Sequence, residues 1–300
     1  MSIESVVWDE WYPVAIVEDV VPDRTYRTQL LGHAIEYRRD AAGQFSAWRA
    51  DRQQQPCATQ TRYHAHWVSL GQPRHDLFAL PEFEEADRHI VGAGSMNVHV
   101  SGLRAIENFL DMAHFPYVHH GYLGAEPYTD VEPYDVSLEN GEIYARNCRF
   151  FQPRGAAAQT GGSENAYIYR VVQPYSAFLY KTSHGAVGRM DVIGLLVQPL
   201  TEEWCRAHTL LAYVDEGTSD EGLRLFQQTI FGQDLMLLSN EIPKKMPLDS
   251  RFEIPVKADA MSMAYRRWLD QRGVQYGTFR ELASHALPSP DRAAPQGAVA

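Results

Sequence analysis

"IENFLDMAHFPYVHHGYLG", residues Ile106 to Gly124, is the stretch on which the fold turns. Ile106, Phe109, Leu110 and Met112 have the texture of the buried side of a helix. Glu107, Asn108, Asp111, His114, His119 and His120 are threaded among them. An unpaired ionisable group is expensive to bury, so these side chains need compensating partners. On one continuous helix Glu107, Asp111 and His114 fall at i, i+4 and i+7 and share a face. His119 lies about 140° from His114 on such a helix. Pro116, between them, removes a backbone donor and crowds the preceding turn. The expectation is a kink that swings His119, or less readily His120, to the side of His114.

A pair of histidines alone is commonly satisfied inside a core or exposed at a helix end. A distant acid changes that reading. In "SDEGLRLFQQTIFGQDLMLL" Ser219 is an N-cap candidate, with Asp220 and Glu221 in the first turn. The apolar stripe Leu223, Phe226, Ile230 then steps onto Asp234, an acid where the pattern requires a core residue. Lys244 and Lys245 are too far along the chain to be its local partners. Two imidazoles and one carboxylate on inward faces match the facial triad of non-haem iron(II) enzymes, which leaves open positions for O2. The bland alternative is a His–Asp ion pair buried in a core.

Length and composition bound the rest. The 300 residues suffice for one large domain or two ordinary ones, and 45% hydrophobic with 22% charged residues is a globular profile. A formal net charge of −11 without a dense Lys/Arg run argues against nucleic acid or an anionic membrane as partner. The start, "MSIESVVWDEW", lacks signal-peptide features, and no apolar run approaches the ~18 residues of a membrane span. Cys57, Cys148 and Cys205 are odd in number and widely spaced, which argues against a disulfide framework. A cytoplasmic protein is expected.

Residues 13 to 50 read as a β-meander with "AAG" (Ala41 to Gly43) as a turn. "DRQQQPCATQTRYHAH" is polar and patternless, and "WVSLGQPRHDLFALPEF" is a Pro/Gly-punctuated connector. A strand at Met96 to Val100 leads to the opening helix. A hairpin turning at Asn140-Gly141 follows, and then strands in "AYIYRVVQP", "AFLYKTS", "MDVIGLLVQPL" and "CRAHTLLAYV". Helices are expected at about Ser219 to Asn240 and Ala258 to Gln271, the latter stopped by Gly273. The Pro/Ala/Gly-rich tail, 286–300, has a disordered composition. The class is α+β: a small β part over 1–90, then a larger antiparallel sheet with long helices over 91–285.

These residues carry a resemblance. "ENFLDMAHFPYVHHGYLG" resembles the mononuclear iron motif of Rieske-type oxygenase α subunits, roughly N-x-x-D-x-x-H-x(4)-H, matched by Asn108, Asp111, His114 and His119. "FGQDLMLLSN" resembles the segment that supplies the family's iron-binding Asp, at Asp234. "WYPVA", "LLGHAIEYRRDAAGQ", "HWVSLGQP" and "VKADAMSMAYRRWL" are also similar to family stretches. The resemblance implies a Rieske-like β domain followed by a helix-grip catalytic domain. It also implies Fe(II) held by His114, His119 and Asp234, with Asp111 relaying electrons or orienting His114 and Asn108 near the metal.

One departure matters more than the matches. A Rieske [2Fe–2S] centre takes two Cys and two His, in this family as C-x-H and then C-x-x-H. Cys57 is followed by Ala58 and Thr59. Cys205-Arg-Ala-His208 has the second spacing, but it lies in the late sheet without a partner half, which makes it a coincidence of strand sequence. His64 and His66 near Cys57 are read as surface histidines. The β framework is thus expected without its cluster, so the two electrons for oxygenation come from another protein. Within the family, methylxanthine N7-demethylase oxygenase components are built this way. The resemblance implies oxidative N-demethylation of a methylxanthine-like heteroaromatic, possibly 7-methylxanthine, with release of formaldehyde. It implies a Rieske-containing reductase carrying FMN and using NADH, a glutathione-transferase-like structural subunit, and a homotrimer or hetero-oligomer. O-demethylation or ring hydroxylation on the same scaffold, or a catalytically silent structural subunit, are the alternatives.

Overall fold

The computed structural model describes residues 3–52, 55–214, 217–249 and 251–280. The tail expected at 286–300 lies outside these residues. The architecture is α+β, in three layers. A short helix, α1 (Ser5–Trp8), leads into β1 (Tyr12–Ile16). Then come β2 (Thr25–Leu30), β3 (His33–Arg39), β4 (Phe45–Arg49) and β5 (Gln55–Pro56), which form an antiparallel sheet in that order. Next, β6 (Ala58–Arg62) and β7 (Ala65–Ser69) pair with β1 in the order β1-β7-β6. The β6–β7 hairpin occupies the stretch that reads as patternless. Its turn is Tyr63-His64, with φ of 51° and 60°. Neither residue is a glycine or asparagine, so the usual hairpin signal is missing from the sequence.

The second layer is a seven-stranded antiparallel sheet. β8 (Arg88–Val98) begins eight residues before the expected Met96 and runs to α2 (Gly102–Leu110) and α3 (Phe115–Val118). The meander β9 (Asp135–Glu139), β10 (Glu142–Gln152), β11 (Ser163–Gln173), β12 (Ser176–Thr182), β13 (Met190–Pro199) and β14 (Cys205–Val214) follows. β8 closes on β14, giving the order β8-β14-β13-β12-β11-β10-β9. Asn140 and Gly141 make the β9–β10 turn at φ of 53° and 84°, as the Asn-Gly pair predicts. α4 (Asp220–Asn240), capped by Ser219, lies along β8, where Arg224 and Gln228 donate to the carbonyls of Gly92 and Ala93. α5 (Ala260–Gln271) completes the helical layer.

Both faces of the sheet are covered, and this organises the molecule. Along β13, Ile193, Leu195 and Val197 pack with Leu103, Ile106 and Leu110 of α2. The alternate residues Val192 and Leu196 pack with Ile16, Trp67 and Leu80 of the N-terminal layer. Period-2 alternation therefore vanishes from the hydropathy pattern, and β13 reads as a continuous apolar run. Cys205 and His208 point to opposite sides of β14: the thiol sits in the helical core, and the imidazole bonds Ser95 Oγ at 2.7 Å.

Two expectations need correction. α2 ends at Leu110, and Asp111 is extended at ψ 134°, so Glu107, Asp111 and His114 do not share one helical face. The Asp111 carboxylate accepts from the backbone N–H of Ala113 (2.8 Å) and His114 (3.3 Å), a local turn that competes with helix propagation. Pro116 then sits in the first turn of α3 rather than kinking a longer helix. His66, expected at the surface, is buried; its ring stacks on Phe45 and Nδ1 bonds Thr61 at 2.8 Å.

Burial, with a nearby arginine in each case, pushes His66 down to about 4 and His208 down to about 3. The unfolded chain takes up protons on these imidazoles from about pH 6.5 downward, while the folded chain resists until pH 4 and below. Protonation therefore favours unfolding, and stability falls as pH drops through that window. Urea midpoints measured at pH 7 and pH 4.5 should show a clear loss, and His208→Gln should make that difference smaller.

Candidate metal centre

Two elements bring three side chains to a common point: α3, with His114 and His119 at its two ends, and α4, with Asp234. His114 ends the turn built by Asp111 and sits immediately before α3. His119 closes α3, its N–H on the Phe115 carbonyl and its own carbonyl accepting from Tyr122 and Leu123. Gly124 lets this loop lie against α3: a Cβ there would come within 2.6 Å of the Pro116 nitrogen. Asp234 projects from the last two turns of α4, which ends at Asn240. Its partners are the imidazoles, while Lys244 bonds the Ser239 carbonyl and Lys245 pairs with Glu202.

The separations are 3.1 Å between the two Nε2 atoms, 3.3 Å from His114 Nε2 to Asp234 Oδ1, and 3.1 Å from His119 Nε2 to the same oxygen. The other ring nitrogens are committed. His114 Nδ1 lies 2.8 Å from Asp111 Oδ2, and an ionised carboxylate only accepts, so Nδ1 carries the proton. His119 Nδ1 lies 2.8 Å from Gln233 Oε1 in the same sense. With each imidazole neutral, both Nε2 atoms are lone-pair acceptors, and they converge on a third acceptor. Asp234 Oδ1 is buried and meets no hydrogen-bond donor among the described residues. Three acceptors at this distance need a cation among them. Ligands about 2.1 Å from a metal at right angles stand about 3 Å apart, so the spacing fits an octahedral face. Among the described residues this is the one place where three such donors converge.

The acceptor excess also governs proton affinity. Burial pulls the His114 imidazole down, but contact with Asp111 and Asp234 prevails and pushes it up to about 9. Burial opposes charge on Asp111 and Asp234, yet the imidazoles hold both carboxyls below their ordinary range.

The cluster opens on a cavity of about 650 Å³, mouth included, between the sheet and the helices. Phe109, Phe115, Tyr167, Tyr169, Ile230 and Phe231 give it an apolar, largely aromatic lining. Asn108 lies between this cavity and an outer groove that Asp111 also lines. His120 is outside the cluster, its Nδ1 3.2 Å from the Pro116 carbonyl. Glu107 belongs elsewhere: it is buried between Arg104 (3.0 Å) and Arg266 (2.9 Å), which compensate it. Two site residues escaped the sequence reading. Gln233, which orients His119, offers no signal beyond adjacency to Asp234. Lys181 was legible as the single charge in the apolar strand "AFLYKTS", two residues from Leu179 and so on the same face.

This constellation on a sheet-and-helix scaffold could hold one metal ion on a face of three ligands, the arrangement that non-haem iron sites use. Residues 98–274 match the family of the vanillate O-demethylase oxygenase C-terminal domain, so the chain belongs to the Rieske-type oxygenases and is an oxidoreductase. A probable methylxanthine N7-demethylase, NdmC, of Pseudomonas sp. strain TJI-51 is 51% identical over 278 residues, spanning 92% of this chain and 98% of that relative. Among solved structures, Pseudomonas putida CBB5 NdmA with caffeine aligns over 89% of this chain and 91% of its own, with TM-score 0.71 and 17% identity. Dicamba monooxygenase bound to dicamba aligns over 89% and 97%, with TM-score 0.69 and 15% identity. At those identities the two structures speak for the fold.

Proposed function

We propose that this chain is an iron(II) monooxygenase component that removes a methyl group from an N-methylated heteroaromatic of the methylxanthine class, 7-methylxanthine being the first candidate. The observation that carries the reading is the convergence of three buried acceptors, His114 Nε2, His119 Nε2 and Asp234 Oδ1, beside an aromatic-lined cavity. The 51% identical relative supports the substrate class. Iron bound there supplies the oxidising power to insert one oxygen atom of O2 into a methyl C–H bond, with two electrons and two protons turning the other into water. The hydroxymethyl amine then breaks its C–N bond to give the demethylated ring and formaldehyde.

The protein's own groups set the conditions. Asp111 and Gln233 fix the two tautomers and ring orientations. The aromatic walls hold a flat ring and exclude bulk water from the reacting methyl. We read residues 1–90 as a Rieske-like layer without cluster ligands and 91–285 as the catalytic part. Electrons then arrive from a separate Rieske-containing reductase. Asp111 is favourably placed for that handover. It touches His114 on one side and lines the outer groove on the other, near the exposed apolar side chains Leu237 and Ile254.

The purified protein should bind one Fe(II) per chain. His114→Ala, His119→Ala or Asp234→Ala should drop that below about a tenth, and His120→Ala should retain it; metal analysis decides. The function itself is tested with a panel of N-methylated and O-methylated heteroaromatics, assayed for formaldehyde with a Rieske reductase. Release from the N-methyl compounds is expected. Release from O-methyl compounds alone would replace this reading with O-demethylation. Turnover with a plain flavin/ferredoxin reductase should be small. Asp111→Asn should keep iron and substrate binding but lower turnover by orders of magnitude, with peroxide restoring part of it. Normal turnover of that variant with its reductase would refute the relay.

A further inference from the structure

Two tyrosines project from β11 onto the cavity wall. Tyr167 and Tyr169 are two residues apart and so share a face of the strand, their rings 6.2 Å apart. Tyr169 opens an apolar cross-strand row: its Cα partner on β12 is Leu179, and that of Leu179 on β13 is Ile193. Tyr167 stands beside this row and close to the metal centre. Its ring meets Phe115 edge to face at 6.4 Å, and Phe115 in turn lies 5.1 Å from the His114 ring and 5.8 Å from that of His119. One aromatic ring therefore separates Tyr167 from both imidazoles.

Tyr167 is 2% exposed, yet its hydroxyl meets no hydrogen-bond partner among the described residues. Burial alone acts on this phenol and holds its pKa well above the ordinary value, so the O–H proton stays in place. The cross-strand neighbours are turned elsewhere: the Cys148 thiol to the Arg146 carbonyl, and Lys181 Nζ to the Gly155 carbonyl. The Tyr169 hydroxyl is unbonded too, but protein encloses it completely; that of Tyr167 keeps an open side, and the space against this residue is the cavity. A buried hydroxyl left without a partner is costly, and native structures complete such groups with a ligand or a water.

We propose that the Tyr167 hydroxyl is a specificity-determining contact of the substrate pocket: it donates a hydrogen bond to a carbonyl oxygen of the bound ring and so fixes which edge, and which methyl group, is turned to the metal centre. The ligand class is a flat ring with an exocyclic carbonyl, resting on the row Tyr169, Leu179 and Ile193. A purine-dione has two such oxygens, and 7-methylpurine has none. A methoxybenzoate presents a carboxylate, which also accepts from a hydroxyl. The inference rests on the N-demethylase reading for the identity of the ring, not for the contact itself.

Calorimetry with the iron-loaded protein tests this with 7-methylxanthine, 7-methylpurine and 4-methoxybenzoate as ligands. Wild type should favour 7-methylxanthine over 7-methylpurine about tenfold or more, since a hydrogen-bonding site rejects an analogue that leaves its donor unpaired. Tyr167→Phe removes one oxygen atom and keeps the ring. It should lower the affinity for 7-methylxanthine about tenfold and leave that for 7-methylpurine within about twofold. Iron content and Tm should not fall, because the hydroxyl has no protein partner to lose. A Tyr167→Phe protein that keeps the wild-type preference, weakens both purines alike, or melts several degrees lower overturns the contact. If wild type binds neither purine but takes 4-methoxybenzoate, the N-demethylase reading falls. The contact then stands if Tyr167→Phe weakens that ligand about tenfold, and falls as well if the affinity is unchanged.

Discussion

One electrostatic constraint organises the helical side of the large sheet: three lone-pair acceptors are held about 3 Å apart without a donor between them. Left to itself such an arrangement flies apart or takes up a proton, and the two carboxylates beside His114 accordingly raise its affinity for protons. The fold resists it from outside the cluster. Asp111 and Gln233 occupy the far nitrogens of the two rings, so neither ring can rotate to relieve the repulsion without breaking a 2.8 Å hydrogen bond. Asp234 is fixed by its place on a helix of 21 residues anchored along β8. The arrangement is pre-organised for a cation because each acceptor is held from outside the cluster, His114 by Asp111, His119 by Gln233 and Asp234 by its helix.

The break after α2 follows from the same demand. Had the helix continued through Asp111, His114 would project with Glu107 toward the ion cluster of Arg104 and Arg266 rather than toward Asp234. Stopping at Leu110 turns the chain and frees the Asp111 carboxylate. That one side chain then builds the turn through two backbone N–H groups and orients the His114 ring. Pro116 starts a fresh single turn that returns His119 to the same point. The motif's spacing thus encodes a helix end, an Asx-type turn and a short second helix.

How much of this was legible depends on where the information lies. Asp234 could be found because an acid interrupts an apolar stripe, and the β9–β10 hairpin because Asn-Gly tolerates positive φ. The meander strands could be found because both faces are buried and they read as apolar runs. The helix break was hidden because residues 106–112 keep a helical hydropathy pattern up to the point where Asp111's side chain takes over the backbone. The β6–β7 hairpin was hidden because Tyr63 and His64 carry its positive φ and its edge strand is Thr- and Gln-rich. Gln233 was invisible, since orienting an imidazole needs only an amide at the right place, and no periodicity marks it.

The N-terminal β layer has a reason to exist that is independent of any cofactor. The face of the large sheet turned away from the metal centre carries Val172, Phe178, Val192, Leu196, Leu210 and Ala212, all buried under Ile16, Trp67, Leu77 and Leu80. Burial of one Val, Leu or Phe side chain contributes about 1.5–3 kcal/mol, so uncovering five of them would cost an amount comparable with the whole stability of an ordinary domain. The opposite face of the same strands lines the cavity, and a slip or twist there would move Lys181, Tyr167 and Tyr169 against the triad. The N-terminal layer is therefore the outer half of a sandwich whose inner half is the cavity wall.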